Sequence, residues 1–347
     1  MLTIDGSTGG GQVLRTSLTL SAMTHRAICI ESIRGARDTP GLRPQHLACV
    51  DVLTTLTNAS VTGGEVGSQT ITFEPETAPT GSVEIDIGTA GSIPLLFETL
   101  VSLSPILEAP ITVGATGGTD VRWAPSMDYL EQVKLPALID HGFKVDMEVE
   151  RRGYYPVGDG AATLTVHPST PTSIELTEHA SLDSVWILSR AAESLSSAEV
   201  VKRQVDGAKA AFEEASVPVD SVTATYHDVS STGTSVTAVG RFTNGYGGGD
   251  SIGERGKPAE IVGAEAAEML LAAADARGAV DRLLADQLMV PLAMTGGQIR
   301  APEATEHLTS NAAVIQGFDV SFDLSRQSDD SVLMRTPGFL SGQSSQH

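Results

Sequence analysis

The chain's 347 residues, 41% of them hydrophobic, suffice for one large domain or two medium ones. Acidic residues outnumber Lys and Arg by 43 to 22, a net charge of −21 that weighs against a polyanionic partner and fits a cytoplasm at molar salt, where the screening length falls to about 3 Å. No apolar run nears the roughly 20 residues of a membrane span, no basic-then-apolar leader opens the chain, and Cys29 and Cys49 form no CxxC, so a cytoplasmic protein with no membrane partner is expected.

Short β-branched runs alternate with amphipathic helical patterns. Behind an opening strand, Gly9, Gly10 and Gly11 lead into a helix whose Leu14 and Leu18 share one face, with Arg15 off that face near the start. A strand is read at 26–33, a break at Pro40 and Gly41, and a second helix striped by Leu47, Val50 and Leu53. Strands at 71–73 and 83–87 precede a Gly/Ser/Thr turn over 88–92 and an apolar stretch over 95–107. A strand at 111–113 and a Gly-rich turn lead to one helix from about 127 to 141. This strand, glycine-turn, helix unit recurs loosely, with too little identity between copies to prove a repeat.

Near Pro168 and Pro171 the composition shifts. A strand is read at 184–192, Ser196 and Ser197 are placed to cap a helix through Glu214, and strands follow at 222–226 and 235–242. The glycines of 245–249 read as a flexible loop closing a small α+β insertion, 176–250, within a larger part formed by 1–175 and 251–347. The larger part resumes with an Ala-rich helix over about 258–276, with Pro258 in its first turn.

Only Lys134, Lys144, Lys202, Lys209 and Lys257 are lysines, which beside abundant Thr and Ala gives a halophile's composition. The first 50 residues nevertheless carry Arg15, Arg26, Arg34, Arg37 and Arg43 against Asp5, Glu31 and Asp38; five minus three is a net of +2, and a seat for an anion. Backbone N–H groups at the glycine-led helix start, with the Arg15 guanidinium, suit a phosphate; a tight turn is the plainer alternative. Arg34, Arg37 and Arg43, followed by Gln45 and His46, suit a polyanion and its terminal group; an exposed turn with solvated arginines is the alternative. His307 falls where a strand gives way to an apolar helix, a rim position open to a nucleophile or general base and equally to a solvated histidine. The other histidines have no metal-ligand spacing.

Together these places resemble one family. Asp5-Gly-Ser7 with Gly9-Gly-Gly-Gln-Val-Leu-Arg15, then Arg34 through Gln45-His46, is similar to the N-terminal signature of the RNA 3′-terminal phosphate cyclases. The resemblance continues through Asp86-Ile-Gly-Thr-Ala-Gly-Ser92, Gly117-Gly-Thr-Asp-Val-Arg-Trp-Ala-Pro-Ser126 and Arg151-Arg-Gly-Tyr-Tyr-Pro156. It returns in Gly253-Glu-Arg-Gly-Lys-Pro-Ala-Glu260, Leu284-Ala-Asp-Gln287 and His307-Leu-Thr-Ser-Asn311, so that only the inserted block is left uncovered.

The resemblance implies an α+β fold: a large domain of repeated units, each a four-stranded sheet with two helices, interrupted by a small α+β insert. It implies that His307 attacks the α-phosphate of ATP, that the AMP passes to an RNA 3′-phosphate, and that the neighbouring 2′-OH closes a 2′,3′-cyclic phosphate. Arg15, Arg34, Arg37, Gln45 and His46 match positions around the bound RNA phosphate. Glu98 and the segment Leu283, Leu284, Ala285, Asp286 and Gln287 match the ATP pocket. The expected partners are ATP and an RNA with a 3′-phosphate end, with self-association into a homodimer left open.

The chain departs from the family in three places. The family's DGSxGEGGGQ is shortened here to Asp5-Gly-Ser-Thr-Gly-Gly-Gly-Gln12, without the glutamate associated with the metal. Glu98 stands where the family has a glutamine facing ATP, and Asp159 replaces the middle glycine of Tyr-Pro-x-Gly-Gly-Gly. A bare carboxylate beside a triphosphate repels it unless a cation intervenes, so Glu98 and Asp286 are the expected ligands of Mg²⁺ or Mn²⁺. Two rivals stand: a non-catalytic ribosome-assembly branch of the same family, against which His307 argues, and an enolpyruvyl transferase-like enzyme, which needs substrate-gripping cations in both halves.

Overall fold

A parallel pair of neighbouring strands needs a crossover, and a helix supplies it. The computed structural model, which describes residues 1–178 and 181–340, uses that device four times, once in each of three repeated units and once in an insert. The last seven residues of the expected larger part, 341–347, lie outside the described residues. The first unit runs β1 (Leu2–Asp5), α1 (Gly11–Thr24), β2 (Ile28–Glu31), α2 (Pro44–Thr57), β3 (Ser60–Thr62) and β4 (Ile71–Glu74). Its sheet has the order β1-β2-β4-β3, with β1 and β2 parallel and the other pairs antiparallel. The second runs β5 (Gly81–Asp86), α3 (Ile93–Val101), β6 (Ile111–Gly117), α4 (Met127–Tyr129), a π turn (Leu130–Lys134), α5 (Leu135–Ile139), β7 (Lys144–Arg151) and β8 (Gly160–His167). Its order, β5-β6-β8-β7, is the same path.

The third unit opens with β9 (Ile174–Leu176) and is interrupted by β10 (Leu182–Ala192), α6 (Val200–Glu214), β11 (Ser221–His227), β12 (Thr234–Phe242), β13 (Gly245–Ile252) and α7 (Ala259–Asp275). It resumes with α8 (Arg282–Gln287), α9 (Met289–Thr295), β14 (Gly297–Ala301), α10 (Glu306–Gly317), β15 (Asp323–Arg326) and β16 (Val332–Thr336). The sheet order β9-β14-β16-β15 repeats the path a third time, whereas the inserted strands form a separate sheet, β11-β10-β12-β13. The fold is thus α+β with a repeated unit that sequence identity alone left unproven.

Four local readings change. The glycines of 245–249 form β13 rather than a loop: a Cβ at Gly249 would overlap the Ala266 carbonyl, so only glycine lets α7 lie directly on this strand. The helix expected to resume the larger part therefore belongs with the insert, sharing the apolar core of Val185, Ile187, Phe212, Val236, Val262 and Leu270, and a boundary at 250 would fall inside β13. Ser196 and Ser197 do not cap α6; they lie in a 3₁₀ segment, Glu193–Ala198, and Glu199 turns the chain at φ 49°. The single helix read over 127–141 is broken. Pro136 has no N–H to give, and the Leu135 N–H reaches back five residues to the Leu130 carbonyl.

The inserted sheet is covered on both faces, by α6 and α7 on one and by the main core on the other, where Val239 joins Tyr129 and Val133. Two buried polar clusters fasten it. Arg152 reaches Asp128 Oδ1 at 2.6 Å and Asp120 Oδ2 at 3.4 Å, and Arg190 on β10 donates to Asp128 Oδ2 at 2.9 Å. Asp281 caps α8 through the Leu284 N–H and accepts from Tyr129 OH and the Gly248 N–H on β13. Among the described residues no helix is long and apolar enough to cross a membrane.

Candidate active site

Helix α1 starts without a side-chain cap and without an acidic residue in its first turn, leaving its first N–H groups and the positive end of its dipole open. Gly9 and Gly10 hold φ 74° and 62°, a region that side chains resist. The missing side chains are also what brings other groups in. A Cβ at Gly10 would lie 3.2 Å from Arg37 Nη2, and one at Gly11 would overlap His46 Nε2 and come 3.2 Å from Arg15 Nη1. Arg15, Arg37 and His46 thus converge on this turn. Neither the Arg15 nor the Arg37 guanidinium hydrogen-bonds or ion-pairs with any described residue. Two uncompensated guanidiniums at an open helix start form a strong seat for an anion.

His46 has a different character from the arginines. Burial, reinforced by the charges of Arg15, Arg34 and Arg43, pushes its pKa down to about 3. Its Nδ1 accepts the Arg43 N–H at 3.1 Å, which assigns the proton of the neutral ring to Nε2, on the Gly11 side. His46 is a neutral donor. Arg34 and Gln45, also expected at the phosphate, are partly occupied. Arg34 Nη1 donates to the carbonyls of Thr39 at 2.8 Å and Gly41 at 3.1 Å, holding its own loop closed. Gln45 Oε1 accepts the Ser92 N–H at 3.3 Å, tying α2 to the N-cap residue of α3.

His307 is exposed in the first turn of α10, the rim position its sequence context indicated. Thr305 caps the helix by accepting the Leu308 N–H and donates from the same hydroxyl to Asp286 Oδ1 at 3.0 Å. The glycine turn abuts this helix: a Cβ at Gly9 would lie 2.9 Å from Ser310 Oγ, which donates to the His307 carbonyl.

Behind the turn a cleft opens between α1, α3, the π turn and α8, lined by Gln12, Arg15, Glu98, Lys134, Asp286 and Gln287 among others. From the segment 283–287 it takes only Asp286 and Gln287. Leu284 and Ala285 are on the core face of α8 and fully buried, and Leu283 packs against that core, so these three are removed from the cleft-facing set. Burial raises the Asp286 pKa, opposed first by the Thr305 hydrogen bond and then by the nearby His307. The cation missing from the sequence argument at Glu98 is the protein's own. Lys134, a residue only 2% exposed, places Nζ 3.4 Å from Glu98 Oε1, within ion-pair range though outside hydrogen-bond geometry. Glu98 Oε1 and Gln287 Oε1 are both buried acceptors with no hydrogen-bond partner among the described residues. Burial lowers the Lys134 pKa, and Glu98 opposes that shift.

Sequence reasoning passed over Lys134, Gln12 and Asn311 as site residues. The signal for Lys134 was present: a lone lysine of a lysine-poor chain, set in an apolar helix and followed by Leu135 and Pro136. Among the described residues no group of three or more His, Cys, Asp or Glu is arranged to hold an ion. Glu98, already faced by Lys134, loses the reason for a bridging metal, whereas Asp286 retains a carboxylate on the cleft.

A family model described as RNA 3′-terminal phosphate cyclase matches residues 7–324. A protein of Halobacterium salinarum named RNA 3′-terminal phosphate cyclase is 41% identical over 345 residues, covering 96% of this chain and 99% of its own length. One of the same name from Pyrococcus furiosus is 39% identical over 324 residues, 92% and 93% of the two chains. The solved structure of the enolpyruvyl transferase NikO from Streptomyces tendae aligns over 98% of this chain and 49% of its own at a TM-score of 0.37 and 12% identity, too distant to bear on activity. With its glycine turn, arginines and His307 all inside the matched span, the chain is an enzyme belonging to the RNA 3′-terminal phosphate cyclase family.

Proposed function

We propose that this enzyme converts an RNA 3′-terminal phosphate into a 2′,3′-cyclic phosphodiester at the expense of ATP, through a His307–AMP intermediate. The observation that carries the reading is an exposed histidine at one helix start, abutted by the glycine turn of another helix start that gathers two uncompensated arginines, beside a cleft with unpartnered buried acceptors. A neutral His307 nitrogen attacks the α-phosphorus of ATP; a P–N bond forms, the bond to pyrophosphate breaks, and the ring loses its proton. An oxygen of the RNA 3′-phosphate then takes the AMP from the histidine, giving a mixed anhydride. The adjacent 2′-OH attacks the RNA phosphorus, its proton is lost, and AMP leaves.

In this reading ATP occupies the cleft, with Gln287 and Gln12 as polar contacts and Lys134 near the phosphates. Arg15, Arg37 and the Nε2–H of neutral His46 hold the RNA phosphate at the start of α1. A divalent ion, Mg²⁺ or Mn²⁺, would neutralise charge on the departing pyrophosphate and take most of its ligands from the nucleotide, with Asp286 as the protein's contribution. The setting that fits the acidic, lysine-poor composition is a salt-rich, reducing cytoplasm.

The test is incubation with α-labelled ATP and an RNA ending in a 3′-phosphate, in high salt. The wild type should carry label on the protein and yield cyclic ends. His307→Ala and His307→Asn should do neither while melting at the wild-type temperature, because an exposed first-turn residue contributes little packing. Substantial cyclase activity in either variant would remove His307 from the mechanism.

A further inference from the structure

Large aromatic rings rarely stand free in water, and Trp123 is 94% exposed and Tyr155 73%. The two lie on neighbouring loops, which pair through Asp120 and Tyr154. Trp123 is held in place rather than dangling. Its backbone is at φ 63°, rare for a bulky residue, and the Arg122 guanidinium lies over its ring, 5.7 Å from the centroid, while also pairing with Glu254.

These loops continue directly from the anion seat. Gln45, next to His46, accepts the Ser92 N–H; Gly91 accepts the Gly118 N–H at 2.7 Å, and Gly118 returns its carbonyl to the Ile93 N–H at 2.9 Å. Trp123 follows five residues later. The loop bearing Tyr155 presses on the same turn, where a Cβ at Gly158 would lie 2.9 Å from Ala90 Cα. The turn at 88–92 therefore links the residue beside His46 to both ring-bearing loops.

We propose that Trp123 and Tyr155 form a stacking platform for unpaired bases of the RNA immediately upstream of its 3′ end. This rests on the RNA reading above. It also fits an acidic protein. Stacking on a ring face attracts every base without adding cations, so RNA is gripped away from the phosphate seat at little dependence on salt.

Of the two tryptophans, Trp186 packs against the core, so Trp123 supplies the solvent-exposed emission. Titration with a single-stranded oligoribonucleotide carrying a 3′-phosphate should quench that emission; the same oligonucleotide with abasic sites at the nucleotides preceding the last should not. In cyclisation assays Trp123→Ala should raise KM for the oligonucleotide about tenfold with kcat within twofold, the low end of one base stack, and Trp123→Phe should recover most of the loss. An unchanged KM in Trp123→Ala, while the wild type makes cyclic ends, would overturn the platform alone. A wild type that makes no cyclic ends would overturn the reaction assignment, leaving the quenching titration to decide the platform. Emission that RNA leaves unaltered, but that shifts with protein concentration in step with dimer formation, would assign the rings to a second copy and overturn it as well.

Discussion

Thr16 Oγ1 donates to Asn311 Oδ1 across 2.7 Å, bridging 295 residues of sequence to join the helix behind the glycine turn to the helix that presents His307. Both side chains are buried, and Asn311 sits one turn beyond His307, on the cleft face of α10.

Asn311→Ala leaves the Thr16 hydroxyl buried without its acceptor, which costs about 1–3 kcal/mol. Because the bond sets how α10 lies against α1, adenylylation should fall along with thermal stability. The pair Thr16→Val with Asn311→Leu should regain stability and not the rate. Recovery of both would mean that the bond contributes stability alone.

The arginines of the anion seat should separate by role. Arg37→Lys keeps a charge but loses the fork, and should slow transfer to the RNA end by about a hundredfold while the AMP adduct still forms. Arg34→Ala removes the bonds to Thr39 and Gly41, so it should also quicken hydrogen exchange across residues 34–41. Unchanged exchange there would deny Arg34 its structural part.

Glu98→Gln removes the carboxylate paired with buried Lys134, and should destabilise the fold by about 1–3 kcal/mol. Adding Lys134→Met should restore most of that loss while impairing ATP binding. The Mg²⁺ concentration for half-maximal adenylylation should stay where it is in Glu98→Gln. A several-fold rise would place an ion at Glu98 after all.

His46 gives the site an acid limit. In the folded chain its pKa is about 3, against about 6.5 for a free imidazole, so above pH 6.5 both states are neutral there and its contribution is fully present. As pH falls from 6.5 towards 3, the unfolded chain takes up a proton that the folded one refuses, and stability is lost. Between pH 6.5 and 4.5 the loss is roughly 2 kcal/mol. Urea melts of wild type and His46→Gln across that window should diverge at high pH and converge at low pH. Parallel curves would mean that the ring accepts its proton when folded.

Arg15 and the Arg37–His46 stretch were each legible as an anion seat, from glycines where a helix begins and from arginines clustered in sequence; that they share one site was implied by the family resemblance alone. His307 was legible for a similar reason, a strand-to-helix rim being visible in the pattern. The Glu98–Lys134 pair was not, since those residues meet only when two helices of one unit pack, and the π turn that delivers Lys134 depends on Pro136 acting on the turn before it. The glycine strand β13 was misread because glycine marks both a flexible loop and a backbone pressed against another backbone. Only the tertiary neighbour, α7, distinguishes them.

The cleft is lined by one corresponding helix from each unit: α1, α3 and α8 all precede the second strand of their own sheet. Three separate copies of such a unit, arranged about a threefold axis, would bring the same side chain to that axis three times over. Three arginines or three glutamates would crowd together as like charges. Joining the copies in one chain lifts that constraint and allows an arginine, a glutamate and an aspartate to face one another. The repeat that builds the scaffold is broken at the cleft, which three different side chains line.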